Sequence, residues 1–190
     1  MRHGSTRSGA PLRSARFMAH AVERYRGSVM QLALARTRNE ADAQDVTQEV
    51  FIKLMRSGTV FRSEEHLRAW LLRAAHSSCT DLGRQAWRRH VDSREDMSTL
   101  ADEGASERAV EELMDHPVWA AMEKLSDAER CAMHLRYVEG YSIEEAAGIM
   151  GCSIGAARIR LHRGRAHLAQ ALDEETNAGE EMSASEKEGR

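Results

Sequence analysis

Arg158, Arg160, Arg163 and Arg165 fall within eight residues, in a stretch that holds no carboxylate between Glu145 and Asp173. A patch of this kind does the chemistry of anion recognition. The guanidinium keeps its charge at every working pH, and its planar fork matches two phosphate oxygens or the edge of a guanine. A second constellation has the opposite sign. Asp45, Gln48 and Glu49, with Asp42 one turn earlier, put carboxylates and an amide on one helical face. Taken alone, that face is an ordinary solvated surface. No frame for covalent chemistry accompanies either group: G-x-S-x-G is missing, as is a glycine-rich phosphate loop. Cys131 and His134 have the C-x-x-H spacing of metal ligands, but Cys79 and Cys152 sit in other segments, so buried structural cysteine is the expectation. Met122, Met133 and Met150 read as core filling. Neither a metal nor a cofactor is expected, and neither is an enzyme.

The elements that position the arginines are legible. Ser142 to Leu172 reads as two short helices joined by a tight Gly-Cys-Ser turn. Ile143, Ala146, Ala147 and Met150 give the first helix an inward face, Gly151 supplies the turn, and Ser153 caps the second helix. There Ile154, Ala157, Leu161, Leu168 and Leu172 form the expected buried stripe. Gly155, Ala156, Arg158, Ile159, Arg160, His162 and Arg163 stay outside. Small residues at the start of such a helix allow close approach to the major groove, where its first turns meet base edges. This is the sequence form of a DNA-reading helix-turn-helix. Ser126 with Glu129 and Ser142 with Glu145 match the capping box, Gly140 ends the helix between them, and Pro117 opens the segment.

The acidic patch lies in a first helical half. Phe17, Ala21, Tyr25, Val29 and Leu32 share a stripe, as do Val46, Val50 and Leu54, with Phe51 and Met55 widening that face. Ser57-Gly58-Thr59 breaks the pattern. Ser63 then caps a helix that buries Leu67, Trp70 and Leu71 and runs to about Arg84, where Gly83 weakens its end. The fold class expected is all-α, as two small helical domains joined by a flexible acidic linker. Their bounds are a disordered basic tail at 1–14, a first domain at 15–90, the linker at 91–116, a second domain at 117–172 and a disordered acidic tail at 173–190.

Net charge is −3 over 190 residues, but it is segregated. Residues 1–90 carry 16 basic and 8 acidic side chains, and residues 91–116 carry 2 and 9. Residues 117–172 are near neutral, and residues 173–190 are acidic again. The overall balance therefore says little about partners. No apolar run is long enough to span a membrane, and the basic N-terminal segment lacks the apolar core of a signal peptide. A cytoplasmic protein with neither a small-molecule substrate nor membrane insertion is the expectation.

The stretch Asp42-Ala-Gln-Asp45-Val-Thr-Gln48-Glu49-Val-Phe51-Ile-Lys-Leu54 resembles the DAxDxxQExFxxL signature of extracytoplasmic-function sigma factors, the smallest branch of the sigma-70 family. Glu23–Ala33 resembles the preceding helix of region 2, Phe61–Ala75 the segment that melts and reads the −10 promoter element, and Met122–Leu168 region 4, which reads −35. The resemblance implies a promoter-directing subunit that binds core RNA polymerase and promoter DNA, with an anti-sigma factor as a further partner. It implies that Asp42, Asp45, Gln48 and Glu49 dock on the polymerase. It places Phe61, Arg62, Trp70, Arg73, His76, Ser77, Asp81 and Arg84 along the melted −10 strand, and Ser153, Gly155, Ala156, Arg158, Ile159, Arg160 and Arg163 at −35. Ser77 stands where many relatives carry Asn, Ala156 where Thr is frequent, and Gly164 where Ala is common, the last at about 1 kcal/mol of helix propensity. A helix-turn-helix regulator that binds duplex DNA without the polymerase shares the C-terminal features alone.

Overall fold

The computed structural model describes residues 13–92, 122 and 124–188. The chain divides into two compact units, Met1–Asp92 and Ser93–Arg190. The expected tail up to residue 12, the linker from 93 to 116 and the Pro117 helix start lie outside the described residues. Among those described, every regular element is helical.

The first unit is three helices packed on one another: α1 (Ala15–Thr37), α2 (Glu40–Arg56) and α3 (Glu64–Asp92). Each start is chemically marked. The Ser14 hydroxyl accepts from Phe17 N at 3.3 Å, Asn39 Oδ1 from Asp42 N at 2.9 Å, and Ser63 Oγ from His66 N at 3.1 Å. These bonds satisfy amides that a helix start leaves without a partner. Arg38 adopts a left-handed conformation (φ 55°) that stops α1 and lets α2 begin at once. Ala21, Tyr25, Val29 and Leu32 meet Val46, Val50 and Leu54, with Leu67, Leu71, Leu72 and Ala75 completing the core. Truncating a fully buried leucine here should cost about 2–5 kcal/mol. Polar ties add direction. Glu64 accepts from the Tyr25 hydroxyl at 2.5 Å, and buried Arg36 donates to the His76 carbonyl at 2.6 Å, joining α1 to both ends of the packed part of α3.

Two expectations for this unit are corrected. The helix carrying Arg84 does not end at Gly83 but continues to Asp92, because nothing crowds or strains the glycine. Arg13 and Ser14 do not belong to a loose tail: Ser14 caps α1, and the Arg13 backbone N–H donates to Met55 O at 3.2 Å.

The second unit holds α4 (Asp127–Met133), a π-helical turn (His134–Val138), α5 (Ile143–Met150) and α6 (Ile154–Glu188). Both capping boxes form: Ser126 N donates to Glu129 Oε2 and Ser142 N to Glu145 Oε2, each at 2.9 Å. Gly140 (φ 76°) and Gly151 (φ 62°) take left-handed conformations that favour glycine, at the two reversals. Leu125, Cys131, Ala132, Leu135, Ala146, Ala147, Ile149, Met150, Ala157 and Leu161 form the core. The sequence carries no mark of the π-helical turn, which widens the end of α4 before the chain reverses at Gly140.

Three expectations are corrected in this unit. Ile154 is not core but 45% exposed, since the first turn of α6 overhangs the packed helices. The backbone of α6 continues helical to Glu188, through the segment expected to be a disordered tail, which is rich in the strong helix former Glu. Gly164 is a packing requirement rather than a weak point. A Cβ there would stand 2.9 Å from Met133 Cγ and 3.5 Å from Glu129 Cβ, so the Met133 side chain would have to shift to admit one.

Gly164→Ala should therefore destabilise the protein. Alanine gains about 1 kcal/mol of helix propensity but overpacks by about 1–3 kcal/mol. Thermal unfolding should show a lower midpoint for the variant. A raised midpoint would mean that α6 has slack against α4.

Candidate functional site

On α2 the apolar stripe faces α1 and α3, which turns Asp45, Gln48 and Glu49 outward; all three are exposed, and Asp42 is half-buried. Glu49 is not a bare carboxylate. Lys53 Nζ lies 2.8 Å from its Oε1 and also donates to the buried Ser78 hydroxyl of α3 at 2.9 Å. The Lys53 hydrogen bond outweighs partial desolvation and holds the Glu49 carboxyl below its ordinary range. Asp45 and Glu49 border a cleft of about 310 Å³, whose α3 side is formed by Ser78, Asp81 and Arg84. Two groups that the sequence kept apart, the α2 patch and the far end of the α3 stripe, thus share one surface. Lys53 and Ser78 escaped the sequence reading, although the spacing of Lys53 from Glu49 is the familiar ion-pair step on a helix.

On α3, Trp70, Arg73, Ser77, Asp81 and Arg84 follow one another at steps of three and four and so share a face. Arg73, Ser77, Asp81 and Arg84 are exposed, and Arg84 lies 3.8 Å from Asp81. His76 lies off that stripe, half-buried. Arg36 approaches its Nδ1 at 2.7 Å and donates to its carbonyl at 2.6 Å, which fixes the ring. Phe61 is also engaged. It stacks on Phe17 (centroids 6.1 Å apart, planes 10° apart) and meets His66 and Trp70 edge-on at 5.5 and 5.8 Å. It is a half-buried packing residue more than an open stacking platform. The largest exposed side chains of the loop belong to Arg62 and Val60, the latter 81% exposed and not singled out from sequence. The only signal for Val60 was a large apolar residue inside a helix break.

The α6 surface begins at Ser153, whose hydroxyl accepts from Ala156 N at 3.1 Å and so caps the helix. Arg158, Arg163 and Gly155 are exposed, and Ile159 is 55% exposed. Among the described residues none of Arg158, Arg160 and Arg163 is ion-paired. Arg160 is half-buried, its guanidinium 3.9 Å from Met150 Sδ. A Cβ on Gly155 would meet nothing closer than Ser153 Oγ at 4.0 Å, so the start of α6 offers room for close approach from outside. Ile154 joins this surface and gives it a second exposed isoleucine.

Behind the arginines, Glu129 fixes α6. Its Oε2 accepts from Ser126 N and lies 3.2 Å from His167 Nδ1. Burial would raise this carboxyl, but the Ser126 hydrogen bonds and His167 together outweigh it and hold it below its ordinary value. Among the described residues no trio of His, Cys, Asp or Glu side chains is arranged to hold a metal, and Cys131 is fully buried in the core.

Residues 21–89 match sigma-70 region 2, and residues 116–168 match sigma-70 region 4. The RNA polymerase sigma factor CarQ of Myxococcus xanthus is 36% identical over 140 residues, covering 72% of this chain and 78% of that protein. The ECF RNA polymerase sigma-E factor of Escherichia coli K12 is 31% identical over 154 residues, covering 76% of this chain and 80% of the relative. Among solved structures, the sigma factor RpoE of Bartonella quintana, captured with the anti-sigma factor NepR, has a TM-score of 0.67 at 23% identity. The likeness covers 84% of this chain and 98% of that one, and at this identity it is a likeness of fold.

The Glu129 bonds yield a pH dependence. A lowered carboxyl contributes stability above its unfolded value of 4.5, and that contribution is lost as pH falls below 4.5 through the folded value. Glu129→Gln should cost about 1 kcal/mol at neutral pH, as the loss of a capping charge does. It should also flatten the acid limb of the melting curve between pH 5 and 3, here about the carboxylate range. An acid limb unchanged in the variant would remove Glu129 as its source.

Proposed function

We propose how this chain works from the fact that it belongs to the sigma-70 family, as a bacterial RNA polymerase sigma factor of the extracytoplasmic-function type. It binds core polymerase and directs promoter-specific initiation, reading −10 through region 2 and −35 through region 4. One observation carries the assignment of surfaces: an exposed carboxylate face on α2 and an exposed guanidinium face on α6 lie in the two units that match those regions.

In this reading Asp42, Asp45, Gln48 and Glu49 dock on the polymerase. Lys53 restrains the Glu49 carboxylate before docking, so less rotamer freedom is given up on binding. The α3 face of Trp70, Arg73, Ser77, Asp81 and Arg84 follows the melted −10 strand, with Arg62 at the loop. His76 serves from behind as a scaffold, and Phe61 holds the loop's shape. An unpaired base has to be stabilised outside its stack, which calls for a surface and cations where the strand runs. Ser153, Gly155, Ala156, Arg158, Ile159, Arg160 and Arg163 face −35. Arg158 and Arg163 reach phosphates or guanine edges, Ile159 gives an apolar contact, and Gly155 and Ala156 allow the approach.

The polymerase does the bond-making, and this chain supplies binding energy and shape. The two domains span 15–90 and 117–172, joined by the acidic 91–116 linker. Free in the cytoplasm, two exposed faces of opposite charge call for a covering protein, and an anti-sigma factor is the partner proposed for them. Among the described residues no helix is long and apolar enough to cross a membrane.

Exchanging Asp45 and Glu49 together for Arg should abolish capture by immobilised core polymerase while leaving the thermal midpoint within a few degrees of wild type. Capture that survives would place the docking face elsewhere. Replacing Arg158 and Arg163 with Ala should weaken binding of the polymerase complex to promoter DNA. The salt slope should fall by about one unit for each phosphate that is no longer neutralised. An unchanged slope would remove α6 from the DNA.

A further inference from the structure

The residue just ahead of the α1 N-cap makes bonds that its place in the sequence does not suggest. Arg13 lies outside the residues matched to region 2. Helix α2 ends at Arg56, and of its last carbonyls Leu54 O already accepts from the Ser57 backbone N–H at 3.1 Å. Arg13 adds further donors here. Its backbone N–H donates to Met55 O at 3.2 Å, its Nε donates to Leu54 O at 3.1 Å, and its Nη2 donates to Thr59 O. The same guanidinium stands 4.7 Å from the Phe17 ring centroid and 4.6 Å from that of Phe61. A cation is favoured at a helix C-terminus, and a planar, weakly hydrated guanidinium suits aromatic faces. The loop 57–63 is thus pinned at its root, at Thr59 and at Phe61. Between and beside those points stand Val60 and Arg62, which carry the largest of its exposed side chains.

We propose that Arg13 is a positioning residue for promoter reading: it sets the loop so that Val60 and Arg62 meet the unpaired −10 base. Val60 forms an apolar wall for the base, and Arg62 brings a cation to its edge or its phosphate. The loop contains Gly58 and would otherwise sample many shapes, so fixing it beforehand removes an ordering cost from base capture. This inference rests on the sigma-factor reading of the loop.

The test uses the full chain with bacterial core polymerase and the strongest promoter that the wild-type protein selects from a randomised library. Each base of the −10 element is then varied in run-off transcription. Wild type should lose about tenfold or more at the base read by the loop. Arg13→Ala should lower output on the preferred promoter about tenfold and shrink that penalty to below about threefold, with polymerase capture within about twofold of wild type. Arg13→Lys keeps a cation near the rings but cannot span both carbonyls, and should recover part of the discrimination. Should Arg13→Ala not fold, Arg13→Lys decides alone: reduced discrimination with normal capture supports the proposal, and wild-type discrimination overturns it. Discrimination unchanged in Arg13→Ala overturns it. A uniform fall on every promoter together with abolished capture overturns it as well, because Arg13 is then only structural. Arg62→Ala is run in parallel. If it discriminates like wild type, the loop does not read the base and the proposal falls while the sigma-factor reading stands. If wild type directs no product from competent core polymerase, it is the sigma-factor reading that fails.

Discussion

The helices that carry the two charged faces, α2 and α6, each bury one stripe and leave charge of mainly one sign on the other. That constraint organises the molecule. On α2, Val46, Val50 and Leu54 go inward, and Asp45, Gln48 and Glu49 go out with only Lys53 beside them. On α6, Ala157, Leu161 and Ala171 are buried, and Arg158 and Arg163 stay outside. A surface left charged in this way gives up the modest stability that ion pairs would add, about 0.2–1 kcal/mol each. Apolar stripes and helix caps therefore hold each unit, with a few ion pairs such as Lys53–Glu49 and His167–Glu129 beside them.

Within that frame a few buried or half-buried polar groups fix the positions of the surfaces. Arg36 reaches from the end of α1 to His76 on α3, and Thr80 also bonds the His76 carbonyl, at 2.9 Å. Losing the guanidinium would leave the His76 carbonyl its Thr80 bond but remove the polar tie between α1 and α3. Glu129 plays a comparable part in the second unit, where it caps α4 and holds His167 of α6. Beside it Gly164 lets the two helices touch. The arginine face is thus referred to α4 through one carboxylate and one missing side chain.

Much of this was legible in the sequence because it is local. Ser126-x-x-Glu129 and Ser142-x-x-Glu145 are complete within four residues, and Gly151 announces a left-handed turn by its type. The stripes on α1 and α2 follow from period alone. What escaped depends on residues far apart in the chain. Arg13 bonds Leu54 across 41 positions, so its role cannot be read near Arg13. Gly164 looks like a propensity defect until Met133 is placed against it. Ile154 keeps the period of a buried stripe but overhangs the packed helices, so it is exposed. The packing of Phe61 among Phe17, His66 and Trp70 likewise joins residues that no local pattern connects. Gly83 failed as a stop signal because a long helix tolerates one uncrowded glycine.

In the function proposed, two oppositely charged faces on one chain bring a polymerase to a promoter. Run-off transcription from a promoter library, with and without this protein added to bacterial core polymerase, tests it most directly. Products should appear only when the protein is present and should share paired −35 and −10 motifs at constant spacing. Absence of such products from competent polymerase, with the protein alone binding duplex DNA tightly at paired half-sites, would contradict it.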